Sequence, residues 1–510
     1  MSYPSISQWI DTVSNSFGRF RTLGEFELCR DAYGNIRFIA GNSAVVFPVI
    51  ADGKMIMLKC FIKEGRCRDV LYATTSCADP LLSPAVFLPG EAYVYDEMGN
   101  GQYYDIAVGR WIEGNTLETE LRRAFRESGA DRFAELATIF DSMAAELLSR
   151  DWAHGDLKPE NIIITPEGHA VLIDYDAMYV PGGEPSGETG TPGYQHPART
   201  EEDYGKFIDD YSIALLSVSL HALAMEPELY GKYHKGDGLI LNPDEICRGT
   251  SAAYEEIMDL LADSGEYDLY NLAKRLPTPI AAITELKELL AAVQSPKNQN
   301  EETPLLFVSD GLCGYANQAG QKVVPAIFTE AFEYSEGVAV ANLRGKWHII
   351  GTNGEMIFNT GDIELYSDNE TRPNPKQSTQ TVTQISDMSD RTSNCKTVKT
   401  TNTPSKAIND LKIDAMKPFG CGLAAFRCNG KWGYIDTKGH ITIKTEFDRA
   451  GTMHDGIATV CRNGKYGFID TAGRTIIPFE YDRAMGFRNG ITEVEANGDI
   501  FHLDLSGNRV

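Results

Sequence analysis

No apolar run in this 510-residue chain approaches the ~20 residues that a bilayer-spanning helix needs. The stretch IALLSVSLHALAM is interrupted by serine and histidine. The N-terminus, MSYPSISQWIDTV, has neither a positive n-region nor an apolar h-region, so no signal peptide is expected. Positive charge is scarce: 47 Lys and Arg against 72 Asp and Glu leave a formal charge of −25. Nucleic acid and anionic membranes both call for an excess of Lys and Arg, so neither is expected as a main partner. An acidic surface does not in turn demand a basic partner; most often it just keeps a protein in solution. The ten cysteines include no CxxC pair, so neither a zinc site nor a redox motif is indicated. Free, mostly buried thiols in a reducing cytoplasm are the expectation.

What remains is ample for folding. The length allows two or three domains with substantial cores, and 42% apolar with 10% aromatic residues suits globular structure. Residues 1 to about 24 read as a short helix capped by polar residues. From Phe26 to Ile112 short β-rich runs dominate, among them RFIAGNSAVVFPVI and KMIMLKCFI, with Asp52-Gly53 as the hairpin turn between them. Residues 115–152 and 205–292 have helical periodicity. GTSAAYEEIMDLLADSG is a clear case, with polar caps before it and glycine after it. SPKNQNEETP is polar and unpatterned, and therefore a linker.

Beyond the linker a fixed period appears. Gly311 and Gly345, Gly430 and Gly464, and Gly464 and Gly498 each stand 34 residues apart. Three of these glycines follow Asn429, Asn463 and Asn497, between alternating strands such as IATVCR and YGFIDT. Asn-Gly tolerates the two positive φ angles of a type I′ turn, so each repeat contains a tight hairpin. A second turn follows at Thr437-Lys438-Gly439 and Thr471-Ala472-Gly473, then a third strand such as TIIPFEYD. The same period would suit a helical tetratricopeptide array, but two glycine turns per repeat exclude one. KWGYIDTKG and KYGFIDTAG resemble the WG-repeat family of β-rich bacterial arrays, over about 303–358 and 414–510. The intervening stretch is rich in Ser, Thr, Asn and Lys and nearly free of aromatics. It reads as a disordered loop inserted into the second repeat.

The chemistry concentrates in HGDLKPENIII, residues 154–164. Transfer of a γ-phosphoryl group needs Mg²⁺ held by oxygen ligands, a base at the acceptor hydroxyl, and cations on the phosphates. Asp156 can accept the acceptor's proton, Lys158 can sit on the γ-phosphate, and Asn161 offers magnesium a neutral oxygen. Thirteen residues after Asn161, VLIDYD ends an apolar strand at Asp174, a second metal ligand. A turn at Pro166-Glu167-Gly168 would pair NIIIT with AVLID and bring Asn161 beside Asp174. A buried hairpin with incidental polar residues is the bland alternative, and four correctly spaced groups make it improbable.

HGDLKPENIII with LIDYD resembles the catalytic and magnesium-binding loops of the protein-kinase superfamily, in the Ser/Thr form Asp-Leu-Lys-Pro-Glu-Asn. The arginine common before the catalytic aspartate is Gly155 here, and Asp174-Tyr175-Asp176 replaces DFG. GTPGYQHPA resembles the end of a protein kinase's activation segment, which docks a peptide acceptor and which small-molecule phosphotransferases lack. The resemblance implies a hydrogen bond from Thr191 toward Asp156, and a bracing role for Asp209 in the D-x-W-S-like Asp209-Asp210-Tyr211-Ser212. Ala198 stands where a glutamate would anchor that segment. Between Asp174 and Ala198 there is no Lys or Arg, while Asp174, Asp176, Glu184 and Glu188 are acidic. A phosphate on Ser186 or Thr189 would therefore meet no obvious local cation, and activity is expected not to require one.

The same resemblance implies an ATP site. Lys59, thirteen residues after Val46, matches the phosphate-binding lysine of the small lobe. GNSAVVF keeps one glycine of G-x-G-x-x-G-x-V: Ile39, Gly41 and Ala44 fall at the three glycine positions. YDIAVGRWIEGNTL resembles the hinge, with backbone groups around Arg110 to Ile112 facing adenine and a helix starting near Thr116. The glutamate expected to pair with Lys59 is absent from GRCRDVLYATTSCAD; Asp69 and Glu64 are the candidates. LKCF…RDVLY with DYDAMYVP and YQHPAR resembles a bacterial kinase subgroup in which this position is also atypical.

The expected architecture is α+β: a two-lobed protein-kinase-like domain followed by an all-β repeat domain. Its parts are an N-terminal helical extension (1–24), a kinase-like domain (25–292, small lobe about 25–110, large lobe about 111–292), a linker (293–303) and WG-type repeats (304–510) with an insertion at about 359–413. The implied activity is Ser/Thr protein kinase chemistry with ATP and Mg²⁺ on a protein substrate in the cytoplasm, the repeats recognising a protein partner. A second reading is a pseudokinase scaffold that binds nucleotide without turnover. It rests on the sparse glycine loop, the missing helix glutamate and Ala198.

Overall fold

A computed structural model describes residues 3–41, 43–64, 79–127, 129–185, 187, 189–235, 238–278, 283–294, 303–359, 413–488 and 490–510. Asp69, Ser186, most of the expected linker and nearly all of the expected insertion lie outside them. The chain is mixed α/β and ends in all-β repeat sheets. It divides into two compact units, Met1–Gln299 with Lys322–Ile327, and Asn300–Gln321 with Phe328–Val510. Among the described residues no helix is long and apolar enough to cross a membrane.

The first unit begins with β1 (Glu27–Leu28), β2 (Ile39–Ala40), β3 (Ala44–Ala51), β4 (Lys54–Phe61), β5 (Ala85–Tyr95) and β6 (Gly101–Arg110). They form a six-stranded sheet in the order β1-β3-β4-β6-β5, with β2 beside β3. Asp52 (φ 49°) and Gly53 (φ 71°) make the expected β3–β4 turn. Period-two alternation gives the sheet two distinct faces. Val45, Phe47, Val49, Leu58, Cys60 and Ile106 pack in one core with Trp9 and Val13 of helix α1 (Ile6–Ser14). Val46, Lys59 and Ala107 stand opposite one another across β3, β4 and β6. They therefore share the other face, where the candidate site lies.

Helix α1 stops earlier than the reading of residues 1–24 anticipates. Ser5 and Gln8 close a capping box at its start, and Asn15 leaves helical geometry at its end. The following residues run along β5 instead: Arg21 N–H donates to the Glu91 carbonyl at 3.1 Å, and Tyr93 N–H to that of Arg19 at 2.7 Å. Trp9 is fully buried and donates its indole N–H to the Phe61 carbonyl at 2.9 Å. Burying a side chain of that size contributes about 3 kcal/mol, so α1 is a structural part of the sheet's core.

The rest of the unit is helical around a small sheet of β7 (Asn115–Thr116), β8 (Ile162–Ile164) and β9 (Ala170–Leu172). Helix α2 (Leu117–Arg126) starts at Thr116, whose hydroxyl accepts from Thr119 N–H, as anticipated. Helix α3 (Ala130–Leu147) and helix α4 (Asp210–Met225) follow. Helix α4 is buried on nearly every side, its serines 212, 217 and 219 included, which marks a central helix. GTSAAYEEIMDLLADSG forms Ala252–Asp263, capped by Ser251. The seven described thiols are less buried than expected. Cys60, Cys428 and Cys461 are in cores, but Cys247 and Cys421 are exposed at a helix end and a tight turn.

In the second unit each hairpin turns on two left-handed residues. Asp310-Gly311, Arg344-Gly345, Asn429-Gly430, Asn463-Gly464 and Asn497-Gly498 have φ of 51 to 54° and then 76 to 88°. Each joins two antiparallel strands, as the Asn-Gly pairs imply. The second turn is held by aspartate: Asp436 Oδ1 accepts from Lys438 and His440 N–H, and Asp470 Oδ1 from Ala472 and Arg474 N–H. The third strands are Ile441–Phe447 and Thr475–Tyr481. Successive repeats share their cores. Ala425, Tyr434 and Phe447 pack with Ala458, Val460 and Ile469 of the next one, and Tyr434 donates its hydroxyl to the Gly451 carbonyl at 2.7 Å. No repeat completes a core alone.

The glycine after Trp432 has a steric cause. Its strand is bulged against Ile441–Phe447, and a Cβ on Gly433 would lie 2.5 Å from the Ile443 carbonyl oxygen. Gly433→Ala is therefore expected to destabilise the repeat unit by about 1–3 kcal/mol, as overpacking does. Gly486→Ala, where a Cβ meets nothing within 4 Å, should be near neutral. Equal thermal midpoints for the two variants would contradict this account of the motif.

Candidate functional site

The β8–β9 hairpin sets the site's floor. Ile173 N–H donates to the Asn161 carbonyl at 3.0 Å, so Asn161 and Asp174 are brought side by side as the turn at 166–168 implies. The loop before β8 is held from below by one carboxylate. Asp209, buried at the start of α4, accepts from His154 N–H at 2.5 Å and from Gly155 N–H at 2.8 Å. His154 uses its ring on both sides: Nε2 meets the Ile173 carbonyl at 2.8 Å, and Nδ1 accepts from Asp156 N–H at 3.3 Å. Gly155 has φ 82°, and a Cβ there would lie 1.9 Å from the Ala177 carbonyl oxygen. No side chain fits at this position.

Asp156 sits in a nest of donors. Lys158 Nζ lies 2.9 Å from its Oδ2, Asn161 Nδ2 donates to the same oxygen at 3.1 Å, and Thr191 N–H donates to Oδ1 at 2.6 Å. Thr191 thus reaches Asp156 through its backbone, while its hydroxyl accepts from Lys158 Nζ at 2.7 Å. Burial pushes the Asp156 carboxyl up. The Lys158 ammonium beside it and the hydrogen bonds from Lys158 and Thr191 more than offset that, leaving it below the ordinary carboxylate range.

Lys59 joins the two halves of the site. Its Nζ lies 2.8 Å from Asp174 Oδ1 and 3.2 Å from Asp176 Oδ1. The other Asp176 oxygen accepts from Ser43 Oγ at 2.6 Å. Burial raises the Asp174 carboxyl but the Lys59 charge outweighs it, so the net displacement is downward. Asp174 itself is left-handed (φ 67°), a conformation that is strained for a non-glycine residue. Tyr175 between the two acids is fixed by hydrogen bonds to Leu172 and Ser83.

Of the candidate partners for Lys59, Asp69 lies outside the described residues, and Glu64 is exposed just beyond β4 and makes no ion pair with it. Asp176 and Ser43 were not among the candidates; the acid standing in the third position of Asp-Tyr-Asp was the available signal. Val46 is Lys59's cross-strand neighbour. Gly41 N–H donates to the Ala44 carbonyl at 2.9 Å, closing the β2–β3 turn near Ser43. At the expected hinge, Arg110 is bonded within the protein. Its N–H is turned to the Pro84 carbonyl at 3.3 Å and its own carbonyl accepts from Ser83 Oγ at 3.1 Å. Among the described residues neither Trp111 N–H nor Ile112 N–H has a backbone partner outside the strands.

The segment after the site is anchored without the glutamate that Ala198 lacks. Arg199 Nη1 donates to the Gly155 carbonyl at 3.0 Å and also bonds Gln195, and Ser212 Oγ donates to the Tyr194 carbonyl at 2.8 Å. Cations from beyond the segment border the cavity that Thr189 lines. Arg199 and Lys235 line the same cavity as Thr189, brought there by the fold from beyond the segment.

The C-terminal region carries the WG containing repeat, whose family model matches residues 314–347, 410–432, 432–466 and 466–498. These spans include Gly433, Gly467 and the Asn-Gly turns at 429–430 and 463–464. No curated protein matches the chain.

Beside Asp209, Asp210 Oδ2 accepts from Ile283 N–H at 3.1 Å, and burial pushes its carboxyl up to about 7. A carboxyl raised on folding favours the folded state while protonated, and that advantage is lost as pH climbs from about 4 through 7. The gap from an ordinary carboxyl, about 3 pH units, is worth at most about 4 kcal/mol. The thermal midpoint should therefore fall more between pH 5 and 8 in the wild type than in Asp210→Asn. Parallel pH profiles would contradict a buried, titrating Asp210.

Proposed function

We propose that residues 25–292 form a two-lobed protein-kinase-like domain that transfers the ATP γ-phosphate to a serine or threonine hydroxyl of a protein. The repeat region then recognises that protein or another partner. The observation that carries this reading is convergence. Asp156, Lys158 and Asn161 meet on one loop at 2.8 to 3.1 Å, Lys59 reaches Asp174 from the sheet at 2.8 Å, and the Ile173 N–H bond to the Asn161 carbonyl at 3.0 Å joins the two groups.

The donor set suits magnesium. Asn161 directs its amide N–H groups to Asp156, which leaves Oδ1 for a cation, and the Asp174 side chain keeps 43% of its surface open. Two hard oxygens are what Mg²⁺ takes from a protein when phosphates and waters complete its shell. Among the described residues no group of three or more His, Cys, Asp or Glu is placed to hold a metal. Bound MgATP supplies the phosphoryl group. Asp156 is ionised at neutral pH and accepts the hydroxyl proton, Lys158 offsets charge between Asp156 and Thr191, and Lys59 is the cation for the phosphates.

A protein acceptor is favoured by the segment 189–199. It is bonded to the reacting loop through Thr191, Gln195 and Arg199. It also borders an open cavity of about 740 Å³ with Gly193, Tyr233 and Leu241 on its wall. The scaffold reading keeps one observation of its own: Lys59 and Asp174, expected at phosphate and metal, are paired with each other.

Labelled ATP, Mg²⁺ and candidate acceptor proteins distinguish the two. Asp156→Ala should lower the transfer rate about 10²–10⁴-fold, and Asp174→Asn should abolish transfer, with both variants folded. Unchanged turnover in either would overturn the assignment of the loop. ATP binding by the wild type without transfer to any protein would favour the scaffold.

A further inference from the structure

Asp176 has no part in the phosphoryl-transfer scheme above, yet it is the better buried of the two acids on Lys59. Its side chain is 10% exposed against 43% for Asp174. Both of its oxygens are committed, Oδ1 to Lys59 Nζ at 3.2 Å and Oδ2 to Ser43 Oγ at 2.6 Å. Asp174 has Lys59 on one oxygen and a partly open surface. A second carboxylate two residues from Asp174 adds like-charge repulsion, which the fold tolerates because an ammonium and a hydroxyl receive it. Ser43 stands between the β2–β3 turn and β3, and the two contacts to Asp176 span 133 and 117 residues of sequence. One side chain thus ties the turn, the sheet lysine and the Asp174 segment together.

We infer that Asp176 is the positioning residue for Lys59 in nucleotide binding, and that through Ser43 it fixes the β2–β3 turn over the same phosphates. The inference rests on the ATP site proposed above. Lys59 is 6% exposed, and a buried ammonium requires a carboxylate partner. If Asp174 turns to a cation, Asp176 keeps that requirement met and holds Nζ on the site face beside Val46 and Ala107. The negative charge that remains is balanced by Lys59. The turn needs fewer glycines, because a side-chain hydrogen bond rather than backbone freedom sets its position.

The test is calorimetric titration of the full chain with the non-hydrolysable β,γ-imido analogue of ATP and Mg²⁺. Asp176→Asn keeps the shape and the bond from Ser43 while removing the charge. It should weaken binding about ten- to a hundredfold, the size of a lost hydrogen bond to a charged group. In a Lys59→Met background the same change should cost nothing further, which a merely structural role would not produce. Ser43→Ala should lose a smaller factor. Wild-type affinity in Asp176→Asn, or the same loss with and without Lys59, would overturn the inference while leaving the ATP site standing. A wild type that does not bind the analogue would overturn both. Binding with the expected Asp176 dependence but no phosphoryl transfer would sink the kinase reading alone.

Discussion

His154 and Gly155 give their backbone N–H groups to a single carboxylate, that of Asp209 at the head of the buried helix α4. The loop that carries Asp156 takes its position from that pair of bonds. Asp156 is the next residue along, Asn161 folds back onto Asp156, and Thr191 closes over it. Leaving either buried N–H unpaired would cost about 1–3 kcal/mol, so the loop has little freedom to shift without releasing Asp209. Gly155 belongs to the same constraint. Its left-handed backbone and the Ala177 carbonyl at its Cβ position let the loop pass close enough for both N–H groups to reach one acid.

Charge then decides what such a loop is good for. Lys59 faces Asp174 and Asp176, and Lys158 faces Asp156. Among the described residues, two ammonium groups against three carboxylates leave the site with one negative charge in excess, in a place where burial makes charge expensive. That excess favours a divalent cation over a bare anion. The paired turn aspartates of the repeats, Asp436 and Asp470, serve backbone geometry.

What was legible in the sequence was local. The spacing from Asp156 to Asn161 and on to Asp174 lies within one loop and one hairpin, so the chain itself delivers the geometry. The Asn-Gly turns needed only two left-handed residues each, and Asp310 and Arg344 took the same angles without asparagine. The partner of Lys59 was not legible. Ser43 and Asp176 lie 133 residues apart, and only the register of β3 on β4 brings the first of them to the site. Arg199 escaped notice because it falls one residue past a segment defined by likeness. The Arg110 N–H bonds the Pro84 carbonyl just before β5, a contact that a sequence pattern does not record. The course of residues 15–24 along β5 likewise depends on Glu91, whose carboxylate accepts from the Thr22 and Leu23 N–H groups.

The most direct measurement is the fate of the γ-phosphate in a single quenched incubation of the chain with ATP, Mg²⁺ and an acceptor protein. ADP should form in step with phosphoserine or phosphothreonine on protein. Release of ADP and inorganic phosphate with no phosphoprotein, or no ADP at all, would contradict a protein kinase.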